Sequence, residues 1–108
     1  HVLFEEHYVE LAEAVDEIAE RIRALGILSP GTYQEFADLS SIKEVKGDIP
    51  AEEMIERLVD SHETVVRTAR QVLEIAQKAD DESSASLVGD RLVVHEKTAW
   101  MLRSHLQT

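Results

Sequence analysis

Four side chains able to bind a metal ion share one face of the first predicted helix: His1, Glu5, Asp16 and Glu20. His1 precedes Glu5 by four residues, as Asp16 precedes Glu20, and residues four apart are neighbours on a helix surface. At roughly 100° per residue, the four project within an arc of about 100°, away from the apolar face. Imidazole and carboxylate groups together form a hard ligand set that suits ferrous iron.

The two pairs lie roughly 22 Å apart along a helix that rises 1.5 Å per residue, too far to share one ion in a single chain. If two copies of the helix pack antiparallel about a two-fold axis, residues whose numbers sum to a constant face each other. His1 with Glu20 and Glu5 with Asp16 both sum to 21. One register therefore predicts two equivalent sites per dimer, each with one histidine and three carboxylates. Taken alone, however, the arc favours an ordinary solvated face of an acidic helix.

The elements that must position these ligands are helical. Apolar residues recur at alternating steps of four and three from Phe4 to Leu25, which predicts one long helix ended by Gly26. A turn and a capping pattern then predict a short connecting helix over Thr32–Leu39.

Two further long helices complete the prediction. One begins after Pro50 and ends near Ala79, and the polar stretch 80–84 separates it from a last helix that reaches Leu106. Strand signals are absent. We therefore expect one all-α domain over residues 1–108, an antiparallel helical bundle with a small helix in one connection. Three long helices are one short of a four-helix bundle, and the pattern is already running at His1, so we expect the first helix upstream.

Composition narrows the chemistry further. The sequence contains no cysteine, which excludes disulfides, thiolate metal sites and thiol catalysis. The excess of 22 acidic over 11 basic residues repels nucleic acid phosphate and attracts cations. There is no apolar run long enough to span a bilayer and no signal peptide pattern at His1. We expect a soluble, cytoplasmic protein without a membrane partner.

The string from His1 to Gly26 resembles the Dps family, a group of ferritin-like mini-ferritins. In that family a histidine and an acid open the second bundle helix, and an Asp and a Glu follow in a D-x-x-A-E-R segment that ends in Leu-Gly. Here the same types stand at His1, Glu5, Asp16 and Glu20. The resemblance continues through the Pro-Gly-Thr turn and the segment 96–102, Glu-Lys-Thr-Ala-Trp-Met-Leu, and so covers essentially the whole chain.

The resemblance implies a ferritin-like four-helix bundle with a short helix between its second and third helices, and with the first bundle helix absent from this chain. It implies a bacterial stress-response protein, a dodecameric cage that oxidises Fe(II), preferably with hydrogen peroxide, and stores Fe(III). Of the iron ligands at each two-fold interface, His1 and Glu5 would come from one subunit, Asp16 and Glu20 from the other. A further family histidine, on the first helix, has no counterpart here, so the truncated chain would have impaired ferroxidase activity.

Some members of the family bind DNA through an N-terminal tail, so an association with DNA or the nucleoid would depend on the missing N-terminal segment. Acids near the last connection line cation pores in the family, which makes Asp81, Glu82 and Asp90 candidates. The alternative function is a structural or nucleoid-compacting, DNA-protective cage without ferroxidase activity, in which the carboxylates of the first helix only solvate the dimer seam.

Three other residues capable of chemistry interrupt the apolar stripes. His62 and His95 fill gaps in the stripes of the second and third long helices, which favours hydrogen-bonded core histidines over metal ligands. Trp100 lies near the last stripe, so we expect it to pack in the core, with interception of stray oxidising equivalents as the alternative. His7 carries no pattern that assigns it a role.

Overall fold

The structure, a computed structural model, describes the backbone of residues 2–26 and 50–106 and the side chains of residues 6–26 and 50–106. It contains three long α-helices: α1 (Val2–Leu25), α2 (Ala51–Lys78) and α3 (Glu82–Leu106). Within these described ranges there is no strand, and the fold is all-α as the sequence predicts. The short helix predicted over Thr32–Leu39 lies outside the described residues.

The helix ends follow local backbone chemistry. Gly26 takes a φ of +69°, a left-handed conformation that glycine adopts at little cost, and its N–H donates to the Ile22 and Arg23 carbonyl oxygens at 3.1 Å. The second break is shorter than predicted, because helix α3 already begins at Glu82. Only residues 79–81 form this turn, in which Asp80 has a φ of +55°.

Helices α2 and α3 form the closely packed antiparallel pair of the bundle, and α1 lies mainly against α2. The Tyr8 hydroxyl donates to the Met54 sulfur at 3.5 Å, so the beginnings of α1 and α2 are neighbours and these two helices run parallel. Glu17 lies 4.0 Å from Arg91 of α3, which passes in the opposite direction. Parallel neighbours need a connection that returns along the bundle.

The core is built from the apolar stripes that the sequence predicts. Each helix contributes large side chains that are removed from water, and their burial is the main favourable contribution to folding. The members of this core are Leu11, Val15, Ile18 and Ile22 of α1, Leu58, Val59, Val65, Ala69 and Val72 of α2, and Val88, Leu92 and Leu102 of α3.

The prediction that Trp100 packs in the core is wrong. Its side chain is 62% exposed, on the side of α3 that faces away from the buried Ala99 and Leu102. We expected it near the stripe, but the helix turns about 100° per residue, so Trp100 lies about 100° from Ala99, well outside the buried face. Among the described helices, none is long and apolar enough to cross a membrane.

Candidate functional site

The carboxylates predicted to bind metal lie on the open surface of α1. Asp16 and Glu20 are both exposed, one turn apart on the same face of the helix. Neither has an ion-pair or hydrogen-bond partner among the described residues. Glu5 belongs to the same helix, but its side chain, like all of His1, is outside what the structure describes.

The side chains that the structure describes do not include a complete metal site. Across residues 6–26 and 50–106, no three His, Asp or Glu side chains are grouped closely enough to hold a metal ion. The mixed-chain cluster of His1, Glu5, Asp16 and Glu20 stays a prediction, because it needs a second copy of α1.

A second group of metal-ligand residue types lies in the core instead. His62 of α2 and His95 of α3 are completely buried, and their Nδ1 atoms are 2.9 Å apart. The ring centroids are 5.1 Å apart, a separation that equals the Nδ1–Nδ1 distance plus about two ring radii. The two nitrogens therefore face each other head-on, as in a hydrogen bond, rather than converging on a third point. The prediction of hydrogen-bonded core histidines is confirmed.

This contact fixes the protonation of both rings. One Nδ1 must carry a proton and the other must accept it, so the two neutral imidazoles are opposite tautomers. It follows that one Nε2 carries a hydrogen and the other is bare. Both Nε2 atoms are buried without a hydrogen-bond partner among the described residues, an arrangement that costs about 1–3 kcal/mol for each group.

His7 of α1 joins this pair, which the sequence analysis missed. Its ring stands edge-on to that of His62, with centroids 5.6 Å apart and planes at 84°. The signal was present in the spacing, because His7 precedes the buried Leu11 by four residues and Ala14 by seven. A histidine at that position faces the same side of the helix as the core.

Burial keeps the pair neutral. Removal from water, followed by the nearby His95 and His7 rings, lowers the pKa of His62 from 6.5 to about 3. Removal from water, followed by the Arg91 cation, lowers the pKa of His95 from 6.5 to about 4. At neutral pH the core therefore contains imidazoles, whereas the arc on α1 carries carboxylates.

Of the three pore candidates, Asp81 has a local structural task. Its carboxylate accepts hydrogen bonds from the Ser84 backbone N–H at 3.1 Å and from the Ser83 and Ser84 hydroxyls, which caps the start of α3. These hydrogen bonds, led by that of the Ser84 hydroxyl, lower the pKa of Asp81. Glu82 and Asp90 are exposed within the first three turns of α3. Lining of a pore stays a prediction for all three.

Comparison with known proteins agrees with this architecture. A family model described as a ferritin-like domain matches residues 1–108. DNA protection during starvation protein 2 of Bacillus anthracis is 41% identical over 106 residues, which are 98% of this chain and 73% of that protein. A low temperature-induced protein of Nostoc sp. is 38% identical over 109 residues, covering 99% of this chain and 61% of that protein.

A solved structure gives the same result at the level of the fold. The X-ray structure of Dps from Thermosynechococcus elongatus matches with a TM-score of 0.67 and 29% identity, over 98% of this chain and 68% of that one. The three helices and these matches define a ferritin-like domain. Within that class, the chain belongs to the Dps family. It spans 61% of the length of the first relatives that it matches.

Proposed function

We propose that this chain is a subunit of an iron-oxidising and iron-storing cage, with Fe(II) as its substrate and cargo. The site is the mixed-chain cluster at a two-fold seam between two α1 helices, where one copy supplies His1 and Glu5 and its partner copy supplies the Asp16 and Glu20 positions. The observation that supports this proposal is the pair of exposed carboxylates on α1 that take no partner among the residues the structure describes.

The surface between the two ligand pairs supports the antiparallel seam. Val9 is 58% exposed and Ala12 is exposed, and both lie within the ligand arc of α1. In the register where numbers sum to 21, Val9 of one copy faces Ala12 of the other. A small apolar patch would therefore lie at the centre of the seam, flanked at both ends by metal ligands, and its burial would stabilise the dimer.

The ligand types also fit the reaction. Carboxylate oxygens and an imidazole nitrogen bind Fe(II), and they stabilise Fe(III) more strongly because anionic oxygen ligands favour the higher charge. Two Fe(II) ions each give one electron to hydrogen peroxide, the O–O bond breaks, and the two oxygens take up two protons and leave as water. Because both electrons move to one peroxide, no hydroxyl radical is released and both reactants of Fenton chemistry are consumed.

The wider assembly follows the same proposal. A dodecameric cage would enclose the ferric product, and Asp81, Glu82 and Asp90 near the start of α3 would draw Fe(II) inward through their negative potential. The described residues provide no basic segment for DNA, so protection of DNA would come from the removal of iron and peroxide. The alternative is a cage that only compacts DNA, and the test must distinguish it from an iron-oxidising cage.

The test measures iron oxidation in the assembled protein, with Fe(II) added first, peroxide second, and ferric absorbance recorded. Asp16→Ala and Glu20→Ala should each slow oxidation by roughly 100-fold or more, since even the loss of groups that only orient a metal ligand costs about 10–100-fold. Glu6→Ala is the matched control, because Glu6 is exposed on α1 outside the ligand arc and has no ion pair among the described residues. Unchanged rates in the Asp16 and Glu20 variants would contradict the proposal and favour a structural cage.

A further inference from the structure

We propose that Arg91 of α3 is a positioning residue for the iron site. Through its ion pair with Glu17, it fixes the rotation of α1 about the helix axis, and with it the direction in which the Asp16 and Glu20 carboxylates point. The inference rests on the proposed function, because it concerns the presentation of those two ligands. Arg91 itself does not bind iron and belongs to a different helix.

Arg91 forms an ion pair that links α3 to α1. Its Nε atom lies 4.0 Å from a Glu17 carboxylate oxygen, and the Arg91 side chain is 22% exposed against 49% for Glu17. Partly buried charges are screened less by salt than exposed ones, so the attraction is stronger than between two fully exposed side chains. The other ion pairs of arginine or lysine in the described residues lie within α2 or join α2 to α3.

Helix α1 depends on such a contact because its other support is one-sided. It lies mainly against α2 and touches α3 little. Its buried side chains, from Leu11 to Ile22, form a single stripe along one side of the helix. A helix held along one stripe can roll over that stripe, whereas a tether on its flank resists the roll. Glu17 provides the tether, and it directly follows Asp16 and precedes Glu20 by three residues.

The angular positions on α1 show how the tether acts on the ligands. At roughly 100° per residue, Glu17 lies about 100° around the helix from Asp16 and about 60° from Glu20. Glu17 reaches towards Arg91, while both ligand side chains are exposed to solvent. A helix is about 10–12 Å across with its side chains, so a roll of about 10° moves a carboxylate at its rim by about 1 Å. Metal–ligand distances are defined to within about 0.2 Å, so such a shift weakens the site.

The test replaces Arg91 and measures how tightly the assembled protein binds Fe(II). Arg91→Met nearly keeps the length of the side chain and removes its charge. It should raise the Fe(II) concentration at half-maximal oxidation rate by about 10-fold, as for other groups that orient a metal ligand. The rate at saturating Fe(II) should stay near that of the wild type, because all the ligands are still present. Titration with Co(II) in the absence of oxidant, followed by its visible absorbance, should show the same loss of affinity.

The direction of the change separates positioning from simple charge. Loss of a cation near the site would by itself strengthen Fe(II) binding, so weaker binding in Arg91→Met requires that the ligands have moved. Arg91→Lys retains the cation and should bind Fe(II) like the wild type. Arg103→Met is the matched control and should leave Fe(II) binding unchanged, because it breaks the 2.7 Å ion pair with Glu63 between α2 and α3 and does not involve α1. Circular dichroism establishes that every variant is folded.

Glu17→Gln completes a double-mutant cycle. It should weaken Fe(II) binding as much as Arg91→Met does, and the combined variant should bind no more weakly than either, because both changes remove one contact. Charge alone predicts shifts of opposite sign that cancel in the combined variant. Unchanged or tighter binding in Arg91→Met, shifts that cancel or add, or an equal loss in Arg103→Met would overturn the positioning role and leave the proposed iron site standing. A wild type that binds neither Fe(II) nor Co(II) would overturn the proposed function and this role together.

Discussion

Two regions of the molecule contain the residue types that bind metals, and they differ in almost every physical respect. The arc of α1 exposes the Asp16 and Glu20 side chains to water, and neither has a partner in the ranges that the structure describes. The core holds His62 and His95 as neutral groups, fully buried and hydrogen-bonded to each other. Ligand residue types therefore do not identify a metal site by themselves, because environment decides whether they remain free to bind a cation.

The energetic consequences differ in the same way. A carboxylate in water costs the folded state little and stays ready for a ligand. Burial of the histidine pair costs stability, which the rest of the core must offset. Charging either ring would place a cation in a medium that solvates it poorly. The first region should accordingly control iron chemistry with little effect on folding, and the second should control folding with little effect on iron chemistry.

The largest expected effect is acid unfolding caused by the pair. In the unfolded chain both histidines titrate near 6.5, but in the folded chain they titrate at about 3 and about 4. The unfolded state therefore binds more protons as pH falls below 6.5, and each histidine removes about 1.4 kcal/mol of stability per pH unit until its folded pKa is reached. We expect the free energy of unfolding to drop by several kcal/mol between pH 6.5 and 4.

Urea titrations over that pH range would measure this slope. The control is the double variant His62→Leu with His95→Leu, which lacks both titrating groups and should show a much flatter dependence on pH. If the wild type and the double variant lose stability in parallel, the pair is not the cause and carboxylates elsewhere in the chain are.

The next effect in size is the coupling within the pair. His62→Leu alone should destabilise the protein by about 1–3 kcal/mol, because it leaves the His95 Nδ1 buried without its partner. Replacing both histidines with leucine should cost less than the sum of the two single changes, since no polar group then remains unsatisfied. Denaturant midpoints of the four proteins form a double-mutant cycle. Simple additivity would mean that the contact contributes nothing.

Asp81→Ala should cause a smaller loss of stability. This variant also allows the carboxylate of Asp81, which caps a helix, to be compared with that of Asp16. Asp81 caps α3 through Ser84, so its removal should lower the melting temperature by a few degrees, whereas Asp81→Asn should retain most of the cap. Thermal unfolding followed by circular dichroism measures both. Equal losses for Asn and Ala would show that the carboxylate acts through charge rather than through the hydrogen bonds.

For the last two measurements we expect almost no change from the wild type. Asp16→Ala should leave the free energy of unfolding within about 0.5 kcal/mol of the wild type, as for other exposed residues without partners. In the reciprocal experiment, the His62→Leu and His95→Leu double variant should oxidise Fe(II) at the wild-type rate once it is folded. A large loss of oxidation in that variant would break the comparison, because it would link the core pair to the iron site.

Much of this could be read from the sequence because it depends on local rules. Apolar spacing fixed the three helices and their core faces, since a helix turns by the same angle at every residue, and Gly26 marked the end of α1 because its backbone conformation favours glycine. The same angular rule assigned Asp16 and Glu20 to one exposed face. Burial of His62 and His95 followed from their place in the stripes.

Only the tertiary structure decided which residues meet across helices. That His62 faces His95 depends on the relative height and rotation of α2 and α3, which no spacing within one helix specifies. The same holds for His7 against His62 and for the two ion pairs that join α2 to α3. Sequence determines which face of each helix is apolar, whereas packing determines which members of neighbouring faces touch, and the chemistry of the core depends on that contact.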